Sequence, residues 1–295
     1  MAGAIGRKGA GAKINHFESF KMEALSPLKG GAGIAILGRF KPIKKLGEGR
    51  FGKVYLVEDL KTGEVYALKE SKDPLFARQL LDEAQNVLLL HHPNLVRLHH
   101  YFLSKDRKRI YLLYEYCDGG DLKAFVEKLG RPLKFGEALD VLYQVASGLA
   151  YLHDHGYVHL DVKPENVLLK REGEKEVWKL GDFGLLKTRG FSGILDVKGT
   201  VGYIAPEVFK GEIHRSSDVF SLGCLLYYML EGHHPFKAED PRKELALNRR
   251  GIIRFPKGLE PAFRPVFAKM VKINPFLRYR TAGELLRDLE KFRAG

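Results

Sequence analysis

The pattern of apolar and polar positions divides the chain into two parts with different periodicity. In the first part, short alternating runs predict β-strands at Phe40 to Lys45, Lys53 to Glu58, Val65 to Lys69, Leu95 to Phe102 and Arg109 to Tyr116. Between the third and fourth strands, Phe76 to Leu90 has apolar residues at helical spacing, which predicts an amphipathic helix that ends before Pro93. This part is therefore expected to form a sheet accompanied by one main helix.

After the turn-forming segment Cys117 to Gly120, the apolar spacing becomes helical. Helices are predicted at Asp121 to Lys128, Lys134 to His155, Asp218 to Glu231, Pro261 to Val271 and Thr281 to Phe292. The third of these is almost wholly apolar between its ends, so we expect it to be buried at the centre of its surroundings.

These elements indicate an α+β protein with two lobes, since 295 residues exceed the size at which one hydrophobic core stops growing. Residues 39–116 are expected to form a small β-rich N-terminal lobe, and residues 117–295 a larger, mainly helical C-terminal lobe. Residues 1–38 are basic and rich in Gly and Ala, which predicts a flexible tail.

Composition narrows the class of protein. The chain is 45% hydrophobic and 29% charged, as in a globular protein, and it contains no apolar run long enough to span a membrane. Cys117 and Cys224 are far apart and lack the spacing of a disulfide framework or a zinc site, so a reducing cytoplasm is the simplest location.

The net charge of +13 is concentrated at the two ends of the chain. Residues 1–45 carry nine Lys or Arg against two Asp or Glu, and residues 241–295 carry fourteen against five. Residues 46–240 carry 26 against 29. A nucleic-acid enzyme would carry its basic surface across the active region, so the distribution disfavours nucleic acid as the principal partner.

Candidate chemistry is densest between His159 and Asn166. Asp161 can accept a hydroxyl proton, Lys163 can hold a phosphate, and Asn166 can offer its amide oxygen to a hard cation. Asp182, in the segment Asp182-Phe183-Gly184 that follows a short hairpin, supplies a carboxylate for the same cation. The four residues predict a phosphoryl-transfer site with Mg²⁺.

A glycine-rich loop, Gly47-x-Gly49-x-x-Gly52, joins the first two predicted strands and offers backbone N–H groups to phosphates. Its strand-loop-strand setting argues against a dinucleotide fold, in which such a loop opens a helix. Taken singly, Lys69 is also typical of a solvated strand residue and Glu83 of an ordinary helix surface. The histidines at 91, 92, 99 and 100 lack the acidic or Cys companions of a metal site.

From Phe40 onward, the ordered set of motifs resembles the eukaryotic-type (Hanks-type) serine/threonine protein kinases, which implies a two-lobed protein kinase-like fold. The motifs are the glycine loop with Val54, Ala67-Leu68-Lys69, Glu83, the loop from His159 to Asn166, Asp182-Phe183-Gly184 and Ala205-Pro206-Glu207. Asp218 and Arg278 match later positions of the family, although Arg280 competes with Arg278 for the second.

The resemblance implies an ATP site. Gly47, Gly49 and Gly52 would cover the phosphates, and Lys69, oriented by Glu83, would hold the α- and β-phosphates. Tyr114 would restrict access behind the adenine. The remaining nucleotide contacts implied are Leu46 and Val54 against the adenine, Ala67 and Leu168 on its two faces, Glu115 and Cys117 through their backbone at its edge, and Asp121 at the ribose.

The resemblance also implies the roles at the transferring group. Asp161 would orient the substrate hydroxyl, Lys163 would neutralise the γ-phosphoryl, and Asn166 and Asp182 would hold Mg²⁺, with Mn²⁺ as an alternative. Lys163 and Thr200 match serine/threonine-type positions, so the expected substrates are proteins with Ser or Thr acceptors.

One position of this chain departs from the family pattern. Leu160 stands where many family members have an Arg that grips an activation-segment phosphate, so phosphorylation at Thr188 or Ser192 is expected to be unnecessary. Asp121 and Glu165 match positions at which basophilic members of the family read arginines before the phosphorylated residue, so the resemblance implies a mild preference for basic substrates. The alternatives are a kinase-like scaffold without catalysis, a small-molecule kinase and a nucleic-acid binder; the physiological substrate and the oligomeric state stay open.

Overall fold

The computed structural model describes residues 36–49, 52–72, 74–104, 108–188 and 200–293. The N-terminal lobe contains a five-stranded antiparallel sheet of order β1-β2-β3-β5-β4. Its strands are β1 (Phe40–Glu48), β2 (Gly52–Asp59), β3 (Val65–Ser71), β4 (Leu98–Leu103) and β5 (Ile110–Glu115). All five predicted strands are present, and β4 begins three residues later than expected.

The two faces of this sheet are covered by different structures. Alternate residues of β5 point to opposite faces, and Tyr111 and Leu113 pack with Phe40 on the outer face. Leu112 lies on the inner face with Leu80 of helix α1 (Pro74–Val87) in the main core. The predicted helix is confirmed, and it starts two residues earlier and ends three residues earlier than expected.

The first described residues are attached to the sheet. Ile36 forms an isolated bridge with Phe40, and Ile36 and Leu37 pack against the outer apolar cluster. Residues 1–35, which make up nearly all of the predicted tail, lie outside the described residues. The tail boundary therefore stays a prediction.

The C-terminal lobe is mainly helical, as predicted. Its helices are α2 (Leu122–Leu129), α3 (Phe135–Asp154), α4 (Arg215–Glu231), α5 (Pro241–Arg250), α6 (Arg264–Met270) and α7 (Ala282–Arg293). Helix α4 is buried along nearly its whole length and contacts α3, α6 and α7, which confirms its predicted central position.

Helix α5 was not predicted, because its apolar residues, Leu245 to Leu247, are few and adjacent. Its start and stop signals are nevertheless present in the sequence. Asp240 caps its N-terminus by accepting a hydrogen bond from Arg242 N, Pro241 occupies the first turn, and Gly251 ends it in the left-handed conformation. Short 3₁₀ turns lie at Pro164–Asn166, Pro206–Lys210, Pro261–Phe263 and Pro275–Leu277.

Two small two-stranded sheets follow helix α3. Strand β7 (Val167–Glu172) pairs with β8 (Lys175–Leu180), and β6 (Tyr157–Val158) pairs with β9 (Lys187–Thr188). The main apolar core runs without interruption from α1 and β5 into α3 and α4, so the lobes share one core. Within the described ranges, no helix has both the length and the apolar character needed to cross a bilayer.

Candidate active site

Asp218, on the central helix α4, fixes the backbone of the candidate catalytic loop. Its carboxylate is fully buried and accepts hydrogen bonds from His159 N and Leu160 N, both at 2.8 Å. A third contact, at 3.0 Å, joins it to the ring of His153. Leu160 adopts a φ of 66°, a left-handed conformation that costs about 1–2 kcal/mol for an L-residue. The two hydrogen bonds from adjacent N–H groups offset this strain.

Four residues of the predicted site meet at this loop. Lys163 Nζ lies 2.9 Å from Asp161 Oδ2 and donates a hydrogen bond of 2.7 Å to Thr200 Oγ1. Asn166 donates from its amide nitrogen to both the backbone and the side-chain oxygen of Asp161, each at 2.8 Å. The Asp161 carboxylate is therefore held by two independent donors, and Thr200 is tied to the same lysine.

A second cluster faces the first across the lobe boundary. Lys69 Nζ lies 3.1 Å from Glu83 Oε2 and 3.1 Å from Asp182 Oδ1, so strand β3, helix α1 and the segment after β8 meet at one ammonium group. Glu83 points inward and is buried, which excludes the interpretation of it as an ordinary helix-surface residue. Asp182 has a φ of 55° and keeps 42% of its side chain exposed. Its carboxylate thus remains accessible from the cleft.

The electrostatics of this second cluster follow from burial and close charges. The Lys69 ammonium holds the pKa of Asp182 below its usual range. Burial raises the pKa of Glu83, and the charge of Lys69 opposes that rise. Burial alone would lower the pKa of Lys69, but the two carboxylates outweigh it and the net shift is upward. The lysine is therefore charged at neutral pH.

The buried side chain of His159 supports the candidate catalytic loop. Burial lowers the pKa of its imidazole, so the neutral ring is favoured at neutral pH. Nε2 lies 3.1 Å from the carbonyl oxygen of Gly181, and Nδ1 lies 3.3 Å from Asp161 N. A carbonyl only accepts and a backbone N–H only donates, so the proton belongs on Nε2. The ring then links the loop to the residue before Asp182.

The donor set fits a magnesium ion. The amide nitrogen of Asn166 is committed to Asp161, which leaves its amide oxygen as the atom for a cation, beside the accessible carboxylate of Asp182. Among the described residues there is no group of three or more His, Cys, Asp or Glu at ligand spacing. Mg²⁺ is commonly bound by one or two protein oxygens completed by phosphates and water, so two protein ligands suffice.

The three glycines of the loop between β1 and β2 differ in their surroundings. A Cβ at Gly52 would lie 2.2 Å from the carbonyl oxygen of Glu70, whereas a Cβ at Gly47 or Gly49 would meet no described atom within 4 Å. Gly49 N donates to the carbonyl oxygen of Gly52 at 2.9 Å and closes the hairpin. Gly52 is therefore required by packing, and Gly47 and Gly49 lie beside open space of the kind a phosphate chain needs.

The predicted adenine contacts lie around the lobe junction. Val54 pairs with Lys69 across β2 and β3, and Ala67 pairs with Tyr114 across β3 and β5. Leu168, an apolar residue of the C-terminal lobe, forms a bridge with Asp121. It therefore lies beside the predicted ribose contact. The side chains of Val54, Ala67 and Leu168 are only partly buried, and Leu46 is 39% exposed. They leave apolar surface available for a flat ring.

The segment joining the lobes is held by charged side chains. The Glu115 carboxylate lies 3.2 Å from Lys179 Nζ and accepts a hydrogen bond from Arg97 N at 2.7 Å. Cys117 is buried, and burial raises the pKa of its thiol to about 12. Asp121 caps helix α2 by accepting from Ala124 N at 2.9 Å, so one of its oxygens already has a structural partner.

A comparison with protein families decides the identity of this arrangement. The model for the protein kinase domain matches residues 40–288. This chain belongs to the protein kinase family. The match spans both lobes and includes every residue of the candidate site.

The relatives that this kinase domain matches are protein kinases of several organisms. CBL-interacting protein kinase 1 of Oryza sativa subsp. japonica is 36% identical over 260 residues, which cover 84% of this chain and 55% of that protein. An Aurora kinase of Schizosaccharomyces pombe is 35% identical over 250 residues, covering 81% of this chain and 68% of its own length. Serine/threonine-protein kinase PrkC of Bacillus subtilis is 30% identical over 268 residues, covering 88% of this chain and 41% of PrkC.

These matches place the kinase domain in the eukaryotic-type serine/threonine group and confirm the predicted two-lobed α+β fold. The chain spans about half the length of the two rice CBL-interacting kinases that it matches, 55% of one and 50% of the other.

The structure resolves one choice that the sequence left open. Arg278 forms two hydrogen bonds to the carboxylate of Glu207, at 2.6 and 2.8 Å, and both side chains are buried. Arg280 instead pairs with Glu284 on the surface and is 82% exposed. Arg278 is therefore the residue that secures the Ala205-Pro206-Glu207 segment of the kinase domain against the C-terminal lobe.

Sequence reasoning missed two contacts of the kinase site. Tyr114 was expected only to restrict the space behind the adenine, but its hydroxyl donates a hydrogen bond to Glu83. Asp218 was matched by position without a role, and the structure makes it the anchor of the loop. For Tyr114 the signal was a polar group within an apolar strand, and for Asp218 it was a carboxylate at the start of an almost wholly apolar helix. A polar group requires a partner when it is buried.

Proposed function

We propose that this kinase domain transfers the γ-phosphoryl group of Mg-ATP to Ser or Thr hydroxyls of protein substrates. The observation that carries the proposal is the placement of Asp182. It contacts Lys69, which is bound to Glu83, and it follows β8, which pairs with β7, the strand that begins directly after Asn166. A cation ligand, a phosphate-binding lysine and a hydroxyl-orienting carboxylate thus surround one cleft.

Bound Mg-ATP would supply the electrophilic phosphorus and the metal charge. Lys69, fixed by two carboxylates, is placed to bind phosphate oxygens without reorganising. Asp161, held by Lys163 and Asn166, is suited to orient an acceptor hydroxyl and to accept its proton. Lys163 adds positive charge beside that carboxylate, where negative charge on the transferring group would be neutralised. Catalysis by these residues would rest on positioning and charge.

We infer that activity does not require a phosphate on the activation segment. Leu160 has no cationic group with which to bind one. An alternative anchor supports the inference: the Asn248 side chain, fully buried on α5, accepts from Gly202 N at 2.9 Å and donates to the carbonyl of Ile204 at 2.8 Å. Thr200 is held separately by Lys163. Residues 200–204, the end of the segment nearest the site, are therefore held by hydrogen bonds with Lys163 and Asn248 in place of a phosphate contact.

The predicted phosphorylation positions are Thr188 and Ser192. Ser192 and the side chain of Thr188 lie outside the described residues. A Thr188→Ala/Ser192→Ala variant treated with phosphatase should keep most of the wild-type turnover. Thr200→Ala serves as the contrast, because it removes the partner of Lys163 and should lower turnover. Loss of most activity in the phosphatase-treated double variant would contradict the inference.

A preference for basic substrates also belongs to this proposal. Glu165 Oε1 is paired with Lys123 at 3.0 Å, while its Oε2 is buried and has no hydrogen-bond partner among the described residues. The Glu165 side chain as a whole is 39% exposed, so its carboxylate can pair with an incoming guanidinium group at its exposed edge. An array of Ser/Thr peptides should show greater incorporation when Arg precedes the acceptor. Equal incorporation for Arg and Ala at every upstream position would refute the preference.

The decisive experiment is transfer of radiolabelled phosphate from ATP to generic basic and acidic proteins with Mg²⁺ and, separately, Mn²⁺. We expect incorporation by the wild-type domain and loss of it in Asp161→Asn and Lys69→Met. Asp140→Asn, an exposed change on α3, is the matched control and should retain activity. Nucleotide binding without transfer in the wild type would instead support a kinase-like scaffold.

A further inference from the structure

A groove of about 450 Å³ lies on the C-terminal lobe, between the loop that follows α5 and the segment from α6 to Leu277. Its walls are formed mostly by apolar side chains, among them Ile252, Phe255 and Ile273, with Lys272 also on its lining. None of the predicted site residues is among the described residues that line it. The groove is therefore separate from the nucleotide cleft.

The apolar side chains of this groove are exposed to an unusual degree. Ile252 is 68% exposed, Ile273 52% and Leu277 61%. Phe255 and the neighbouring Phe276 are also among the exposed large apolar residues of the described ranges. A concave cluster of this kind is typical of a surface that binds another molecule, because isolated apolar residues are common on surfaces and contiguous ones are not.

The stretch of chain that forms the groove is rich in cations, two of which, Arg278 and Arg280, are already paired with Glu207 and Glu284. Residues 249–280 contain nine Lys or Arg and one carboxylate, Glu260. Of these cations, Lys272 lines the groove, Arg254 is exposed beside Phe255, and the Arg264 guanidinium lies 5.6 Å from the centre of the Phe255 ring. These groups can meet carboxylates of a partner at the rim while its apolar side chains enter the groove.

Charge disfavours two other occupants, and the apolar lining and the concave shape disfavour two more. Residues 1–35 of this chain carry five Lys or Arg against two Glu, so this segment would be repelled by the groove. A second copy of the chain would present the same basic face in a two-fold contact. A nucleic acid would satisfy the cations but would leave Ile252, Ile273 and Leu277 against a charged backbone, and a concave site does not match a bilayer surface.

We propose that this groove docks a segment of a protein partner in which Asp or Glu residues are interspersed with bulky apolar side chains. Docking of this kind uses apolar anchors for affinity and rim charges for orientation and rate of association. It does not depend on nucleotide or on phosphoryl transfer, so it can be tested apart from the proposed catalysis.

To test this proposal, random short peptides displayed on phage are selected for binding to the wild-type domain in the absence of ATP. The selected peptides are then measured by fluorescence anisotropy against Leu277→Asn and Lys272→Glu. Both altered residues are exposed, so the fold should be retained. We expect enrichment of acidic and apolar residues together, and binding at least about tenfold weaker to each variant. Leu89→Asn and Lys175→Glu, exposed changes elsewhere, are the matched controls and should bind as the wild type does.

Three results would overturn the proposal. The first is selection of peptides without joint acidic and apolar enrichment, or none at all. The second is equal affinity of the selected peptides for the wild type and both groove variants. The third is that a single-stranded oligonucleotide, or vesicles containing phosphatidylserine, bind the wild-type domain but not the groove variants, while the selected peptides show no such difference. Retained phosphoryl transfer in the groove variants would keep the proposed function intact in each case.

Discussion

Tyr114 donates a hydrogen bond of 2.5 Å from its phenolic oxygen to Glu83 Oε1, within the buried cluster that also holds Lys69. The bond ties strand β5, at the lobe junction, directly to helix α1. Glu83 thus has two partners, and the pair it forms with Lys69 does not depend on the lysine alone. The hydroxyl also lowers the pKa of Glu83 against the larger effect of burial, which raises it.

Replacing Tyr114 by Phe should weaken the domain and its catalysis together. A hydrogen bond to a charged group contributes about 1.5–3 kcal/mol, so the free energy of unfolding should fall by an amount of that order. Phosphoryl transfer should fall because Glu83 loses the contact that fixes it beside Lys69. Denaturant unfolding and kcat/KM for ATP are the measurements. Tyr111→Phe is the matched control, since its hydroxyl faces the other side of β5 and makes a longer contact, 3.3 Å, to Glu70.

The glycine loop offers a contrast between packing and ligand binding. Gly52→Ala should destabilise the domain by about 1–3 kcal/mol or more, because its Cβ would overlap the carbonyl oxygen of Glu70. Gly47→Ala should leave the unfolding midpoint nearly unchanged and raise KM for ATP, since its Cβ would enter the open space predicted for phosphates. Thermal unfolding without ligand, paired with ATP kinetics, separates the two. Equal destabilisation by both changes would contradict this division.

The two candidate arginines should differ sharply in their effect on stability. Arg278→Met leaves Glu207 buried without its charge partner, which typically costs about 3–5 kcal/mol. Arg280→Met removes only an exposed pair with Glu284, which contributes about 0.3–0.5 kcal/mol. Guanidinium unfolding of the two variants under the same conditions provides the comparison. A larger loss for Arg280→Met would mean that the pairing described above is wrong.

Stability should decrease as the solution is acidified below about pH 6.5. Burial lowers the pKa of several histidines in the folded state, namely His92, His99, His100, His159 and His234. Below about pH 6.5 the unfolded chain binds protons that the folded protein excludes, so the free energy of unfolding falls by up to about 1.4 kcal/mol per pH unit for each such histidine. Their stabilisation is fully present above that pH.

Urea unfolding at a series of pH values between 8 and 5.5 measures this slope. His159→Gln should reduce the slope, because the variant lacks one of the groups that the unfolded state protonates. A slope that is unchanged in this variant, or a stability that rises on acidification through this window, would contradict the prediction.

The sequence by itself determined the fold class and predicted the members of the candidate site. Alternating and helical periodicities are local properties, so they predicted all five strands of the N-terminal sheet and the buried character of α4. The order of the motifs predicted which polar residues belong together, because the chemistry of phosphoryl transfer needs a carboxylate, an ammonium and a cation ligand. Helix α5 was not predicted, since its few apolar residues give only a weak helical pattern, although its capping signals are present in the sequence.

Only the tertiary structure decided how those residues are held. Whether Glu83 faces Lys69, whether Arg278 or Arg280 pairs with Glu207, and which side chains orient the loop depend on contacts between segments far apart in sequence. The bond from Tyr114 to Glu83 joins residues 31 positions apart, and that from Leu160 N to the Asp218 carboxylate joins residues 58 apart. Periodicity shows which side of an element is buried, but the partner of a buried polar group is set by packing.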